Sequence, residues 1–197
     1  MLRTLATASV LALGLSGAAS AATIFTDNFD LDVQGAPQGT LINWTVFSGS
    51  IDVIGTPGAF PWYPSGNQID LNGDNQGEIR TASLGLVLNK MYTLSFDYGN
   101  NKNSNGLEDI SFGIGDQLFT FAVNGAIPNL INYTINIVFD GGSDYLTFAD
   151  TGTLSTGDRG GPVLDNVSLA LVPLPAAGLL LIGALGGLAL WRRRKTV

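Results

Sequence analysis

Any chemistry in this chain must come from carboxylates, hydroxyls, amides and aromatic rings, because its 197 residues include no histidine and no cysteine. That removes the Ser-His-Asp triad, thiolate nucleophiles, disulfides and zinc–thiolate centres. All sixteen acidic residues lie between Asp27 and Asp165, and only Glu78 and Glu108 are glutamates. Two carboxylates about 5 to 9 Å apart suffice for glycoside hydrolysis, so a carboxylate-based glycoside hydrolase or lyase is the catalytic alternative. Neither glutamate sits in a recognisable acid–base motif, and a non-catalytic protein is the favoured expectation.

Four further constellations could carry chemistry. In the stretch 163–171, alternation puts Val163, Asp165, Val167, Leu169 and Leu171 on one face, read as the core face. A buried carboxylate needs a partner. Backbone donors could supply it, or, if the first and last strands meet, Asp27, Asn28, Asp30 and Asp32 could complete a calcium site with Asp165. Asp70, Asn72 and Asp74 begin like a calcium loop, but Asn75 and Thr81 stand where an EF-hand needs glycine and glutamate, so a hairpin turn is expected there. Trp62 and Tyr63, in a segment rich in proline and glycine, are either a sugar-stacking platform or a plug for one end of the fold. In Gly157-Asp-Arg-Gly-Gly-Pro162 an arginine occupies the nucleophile position of a protease-like box, and the segment is read as a turn.

The elements that must position these groups are strands. Tyr92, Leu94, Phe96 and Tyr98 alternate with Thr93, Ser95 and Asp97; Tyr133, Ile135, Ile137 and Phe139 alternate with Thr134, Asn136 and Val138. Ile110, Phe112 and Ile114 repeat the pattern, as do Phe119, Phe121 and Val123. Weaker strands are expected near 23–27, 43–48, 50–54, 67–71, 78–84, 144–149 and 163–171, separated by turn residues such as Asn72-Gly73 and Gly141-Gly142. About eleven short strands without an amphipathic helix imply an all-β, two-sheet antiparallel sandwich or jelly roll over residues 22–171. The asparagine-rich stretch 99–106 is expected to be a mobile surface loop.

The two ends read as addresses. Residues 1–21 carry Arg3, an apolar stretch and Ala19-Ser20-Ala21, the pattern of a secretory signal peptide cleaved before Ala22. The C-terminal 172–197 region has three parts: Val172, Pro173, Leu174, Pro175 and Ala176; an apolar helix over 177–191; and the cationic run Arg192, Arg193, Arg194 and Lys195. The 16 residues from Ala176 to Trp191 give about 24 Å of helix, less than the roughly 30 Å hydrocarbon core, so the anchor is marginal. The basic run holds its end in the cytoplasm. Between these ends stand sixteen acidic residues and four basic ones, a charge that repels nucleic acid and anionic membranes and favours cations or neutral ligands.

The tail resembles the VPLPA-CTERM variant of the PEP-CTERM sorting signal of exported proteins in Gram-negative bacteria, and Val172–Ala176 matches its motif letter for letter. The resemblance implies an exosortase partner that cuts near the motif, a transient membrane anchor, and a final place at the cell surface or in an exopolysaccharide or biofilm matrix. A permanent tail anchor is the alternative. Asn28-Phe29-Asp30, Tyr92–Asp97 and Gly161–Leu169 are similar to strings in galactose-binding-like jelly rolls, the fold of many carbohydrate-binding modules. That likeness implies a polysaccharide ligand and a structural calcium between Asp30 and Asp165. A purely structural coat or adhesion protein is the third expectation.

Overall fold

The computed structural model describes residues 21–38, 41–56, 63, 66–102, 108–123, 129–153 and 160–173. Residues 1–20 of the expected signal peptide and the tail from Leu174 onward lie outside them. The described chain is all β, with twelve strands: β1 (Ala22–Asp27), β2 (Gly35–Gln38), β3 (Trp44–Ser48), β4 (Ile51–Gly55), β5 (Asn67–Asp70), β6 (Glu78–Thr81), β7 (Met91–Asn100), β8 (Glu108–Ile114), β9 (Gln117–Val123), β10 (Ile131–Val138), β11 (Leu146–Asp150) and β12 (Pro162–Leu171).

They form two antiparallel sheets. One runs β10-β7-β12-β5-β4-β2, with β1 also on β12, and the other runs β3-β6-β11-β8-β9. The period-two pattern accounts for the layering. Tyr92, Leu94 and Phe96 of β7 and Ile137 of β10 face the other sheet's Ile110, Phe112 and Phe148 in one core. Phe96 sits at the junction, its ring 4.9 Å from Phe112 and 5.0 Å from Phe148, both edge-to-face. At one flank Trp44 packs on Phe25, Phe29 and Phe148. The extra strand, β2, contains Pro37 and lies on the sheet edge, where a missing N–H is tolerated.

The last strand departs from simple alternation. Leu164 pairs with Tyr98 and faces the core, so Val163 and Asp165, either side of it, face away; Asp165 lies opposite Asp97. The register then shifts between Asp165 and Ser168, after which Val167 and Leu169 face the core. This is a β-bulge, and Asn166 within it has φ +49°, a conformation asparagine tolerates better than most residues. The expectation that Asp165 shares the core face with Val167 and Leu169 is therefore corrected: one extra residue turns it to the sheet's other side.

The bulge conformation can be tested through Asn166, which is exposed. Asn166→Val should unfold at lower urea than Asn166→Gly, by about 1–3 kcal/mol. Both variants lose the asparagine side chain, so the difference isolates the cost of a β-branched residue at positive φ. Equal stability would show that this strand does not need the left-handed residue.

Candidate functional site

On the side of the seven-stranded sheet away from the main core, β10, β7 and β12 present a continuous polar surface. Thr93, Ser95 and Asp97 of β7 lie opposite Asn136, Thr134 and Asn132 of β10. The three β10 residues are exposed and the three β7 residues half-buried. Their side chains are knitted across the strands: Thr93 Oγ1 donates to Asn136 Oδ1 (2.7 Å), Thr134 Oγ1 to Ser95 Oγ (3.1 Å), and Asn132 Nδ2 to Asp97 Oδ1 (2.7 Å). Across β12, Asn166 Nδ2 donates to Asp97 Oδ2 at 2.9 Å. These cross-strand bonds hold a fixed array of amides and hydroxyls facing water.

Asp165 borders this array. It is 4% exposed and accepts the backbone N–H of Asn166 at 2.6 Å. Burial pushes its pKa up to about 7, against the lowering effect of the Asn166 bond; the nearby charges of Asp30, Asp97 and Asp27 raise it further. Asp30 and Asp165 are thus electrostatic neighbours. Asp30, however, is already engaged, accepting the Asn67 N–H at 2.8 Å and the Asn28 amide at 2.7 Å. A Cβ on Gly66 would strike its Oδ1, which explains glycine at that position. Asp27 accepts Trp44 Nε1 (2.9 Å), and Asp32 accepts the Ile42 N–H (2.9 Å). The early acidic residues therefore stitch the β1–β2 segment to its neighbours. Among the described residues no three acidic side chains are grouped to hold a metal ion. A cation at Asp30 and Asp165 would have to complete its shell with carbonyls and water.

Farther along the same outer face a second apolar cluster forms from Ile54, Tyr63 and Val163, with Leu130 against it. Tyr63 is 1% exposed; its hydroxyl donates to Asn100 O (2.8 Å) and accepts from Asn100 N–H (3.0 Å). It is not a solvent-facing sugar platform, because its ring is packed and both hydroxyl roles are filled. Trp62 lies outside the described residues. The expected loop at 99–106 is corrected at its start: Gly99 and Asn100 belong to β7, and Asn101 is buried with its amide on Asp70 Oδ2. Residues 103–107 lie outside the described residues.

Asp70 Oδ1 accepts the N–H groups of Asn72 (2.9 Å) and Gly161 (3.0 Å). The following loop closes on a hydroxyl, Ser50 Oγ, which accepts from Asp74 N–H (2.7 Å) and Asn75 N–H (3.0 Å). These bonds make the turn, as expected, with the Asp70 carboxylate committed to the backbone. Gly161 is required too, since a Cβ there would come within 2.6 Å of Asn72 Cβ.

The two glutamates do not form a catalytic pair on an open surface. Glu78 Oε1 is taken by Arg80 Nε (2.6 Å) and Thr147 Oγ1 (3.1 Å), and Glu108 is fully buried.

No protein-family model matches the chain, and no curated protein sequence does either. Solved structures do resemble it. An arabinose-bound α-L-arabinofuranosidase superposes with TM-score 0.52 at 12% identity, over 75% of this chain and 26% of that one. The CBM22-1 xylan-binding domain of Paenibacillus barcinonensis gives 0.48 at 18% identity, over 79% of this chain and 99% of that one. The C-terminal CBM6 of a laminarinase from Zobellia galactanivorans gives 0.44 at 6%, over 74% and 99%. The likeness is one of fold.

The elevated pKa of Asp165 fixes a sign. An unfolded aspartate loses its proton near 3.8, whereas folded Asp165 keeps it to about 7, so the folded state binds more protons between these values. This group's contribution to stability therefore falls as pH rises from about 4 to about 7. Asp165→Asn, which retains an acceptor for Asn166, should raise the melting temperature at pH 7.5 and flatten its decline across that interval. A lower melting temperature for the variant at pH 7.5 would contradict the assignment. Asp70, also raised by burial, acts in the same direction in both proteins and cancels in the comparison.

Proposed function

We propose that this chain is an exported, non-catalytic cell-surface or matrix protein whose jelly-roll domain binds polysaccharide, and which is sorted through its C-terminal tail by an exosortase. The observation that carries the binding reading is the amide and hydroxyl array of Thr93, Ser95, Asn132, Thr134 and Asn136 on the sheet's open face. A neutral, hydroxyl-rich chain can exchange hydrogen bonds with such a surface, while the acidic surplus of the domain disfavours anionic ligands. A structural calcium at Asp30 and Asp165 belongs to the same reading: a divalent cation would relieve the charge that burial opposes at Asp165.

The binding reading is tested by glycan-array screening of the domain 22–172, followed by affinity electrophoresis with the retained polysaccharide. Thr134→Ala and Asn136→Ala should each cost about 1 kcal/mol, roughly fivefold in Kd, with little change in melting temperature. Retention unaffected by both substitutions would place the ligand elsewhere, and an array with no retained glycan would favour a structural coat protein. For calcium, millimolar addition should raise the melting temperature of the wild type and not of Asp165→Ala; identical curves with calcium and chelator would remove the metal from the proposal.

The sorting reading rests on the order of motif, apolar helix and basic run at the terminus. Replacing Val172–Ala176 should leave membrane insertion intact and block processing, so that the protein accumulates in the inner membrane with its tail uncut. Mass spectrometry of the surface-exposed or released wild-type protein should find the tail removed. A C-terminus intact through Val197 would instead identify a permanent anchor or another export route.

A further inference from the structure

The two ends of the described domain leave it at one place. Ala22 pairs with Leu171, and the Val172 N–H donates to Met91 O at 2.9 Å. Beside Met91 the surface is apolar: Val87 is 55% exposed, Leu88 54%, Met91 41% and Val138 45%. These residues gather at one end of the β7–β10 pair. Met91 lies opposite Val138, and the 87–90 turn is closed by Lys90 N–H to Val87 O (3.2 Å) and pinned by Asn89 N–H to Phe139 O (2.8 Å). Asn89 holds φ +60°, the conformation that lets the chain reverse with Leu88 at its tip.

From Val172 to Ala177, where the apolar tail segment begins, is five residue steps, at most about 17 Å of extended chain. The headgroup layer accounts for roughly 5–7 Å of that distance. While the tail is inserted, this chain length keeps Val172 within about 10–12 Å of the headgroup surface. We propose that Val87, Leu88, Met91 and Val138 dock on the phospholipid interface of the membrane that holds this chain's own tail. The proposal rests on the tail-anchor reading above. Apolar side chains at a turn tip gain free energy by entering the interfacial zone, and the tether supplies the high local concentration that an acidic domain would not reach unaided. Docking would also orient the domain, with β7 running about 30 Å from Met91 toward the far end at Asn100. Cutting the tail removes the tether, and a small patch alone does not hold the protein, so release follows from processing.

The absence of cysteine permits a direct test on the full chain. Single variants Leu88→Cys and Asp74→Cys, both at exposed positions, are labelled with an environment-sensitive fluorophore and reconstituted into phosphatidylethanolamine-rich vesicles containing spin-labelled lipid. Asp74 lies in the loop that follows β5, whose Asp70 pairs with β12 at the end remote from Met91. The probe at 88 should shift to the blue and lose emission to the spin label, while the probe at 74 should behave as in water. Leu31→Cys, an exposed apolar position outside the patch, should resemble 74; a response at 31 equal to that at 88 would mean indiscriminate adsorption and overturn the proposal. Flotation separates the premises. A chain that floats with vesicles but shows no response at 88 overturns the docking and leaves the anchor standing; a chain that does not float overturns both.

Discussion

The bulge in β12 is the constraint on which the rest of the sandwich turns. This strand keeps β7 on one side along most of its length, while its other side meets β5 at Val163 and Leu164 and β1 from Val167 onward. A strand with strict alternation could not bury Leu164 as well as Val167 and Leu169, since the period of two would send one set outward. The extra residue at Asn166 reconciles them. It also fixes the chemistry of the outer face, because it leaves Asp165 opposite Asp97 and gives Asn166 the reach to bond Asp97 Oδ2. The acid pair is thus a consequence of how the core is filled.

Away from the bulge, the far end is organised by polar groups. Asp70 gathers Asn72, Asn101 and Gly161 from three separate parts of the chain, and the Tyr63 hydroxyl is clasped by both backbone groups of Asn100. Burying Asp70 drives its pKa well above the ordinary carboxylate value, with Asp52 opposing ionisation and the three donors favouring it. An apolar residue there would avoid the desolvation but would leave the N–H groups of Asn72 and Gly161 without their acceptor. The arrangement fixes where three loops meet, which hydrophobic contacts, being non-directional, do less well.

Much of this fold is legible in the sequence, and the departures share a cause. The alternation of β7, β8 and β10 yielded the sheets and their inward faces, because each of those strands is uninterrupted. The same rule misplaced Asp165, since periodicity assumes a constant register and an asparagine in a strand announces a bulge only weakly. β2 escaped because Pro37 and Gly35 read as loop, which is what an edge strand tolerates. The burial of Tyr63 matches the plug alternative, whereas that of Asn101 departs from the loop that its composition suggests: proline, glycine and asparagine mark irregular backbone, but irregular backbone can still be buried when its polar groups are paired. No local pattern shows that Asn101 will meet a carboxylate 31 residues earlier. The meeting of first and last strands implies that Asp30 lies near Asp165, whereas nothing local in the sequence points to the bond from Asn67 to Asp30.

What the polar face can do follows from what supports it. Thr93, Ser95, Asn132, Thr134 and Asn136 stand on strands whose opposite faces carry Leu94, Phe96, Tyr133 and Ile135, all in or against the main core. The array is therefore rigid before any ligand arrives, and ordering these side chains adds little entropy cost on association. Its groups are largely neutral, so they can be desolvated at less cost than ions. The carboxylates are placed differently: Asp97 is bonded from both flanks, and Asp165 is buried with its proton held to about pH 7. A general acid must reach the bond it cleaves, and a carboxyl under the sheet surface with its neighbour locked by two amides is poorly set to do so. The same packing that stiffens this face thus keeps Asp97 and Asp165 engaged within it, and the bulge in β12 sets the position of both.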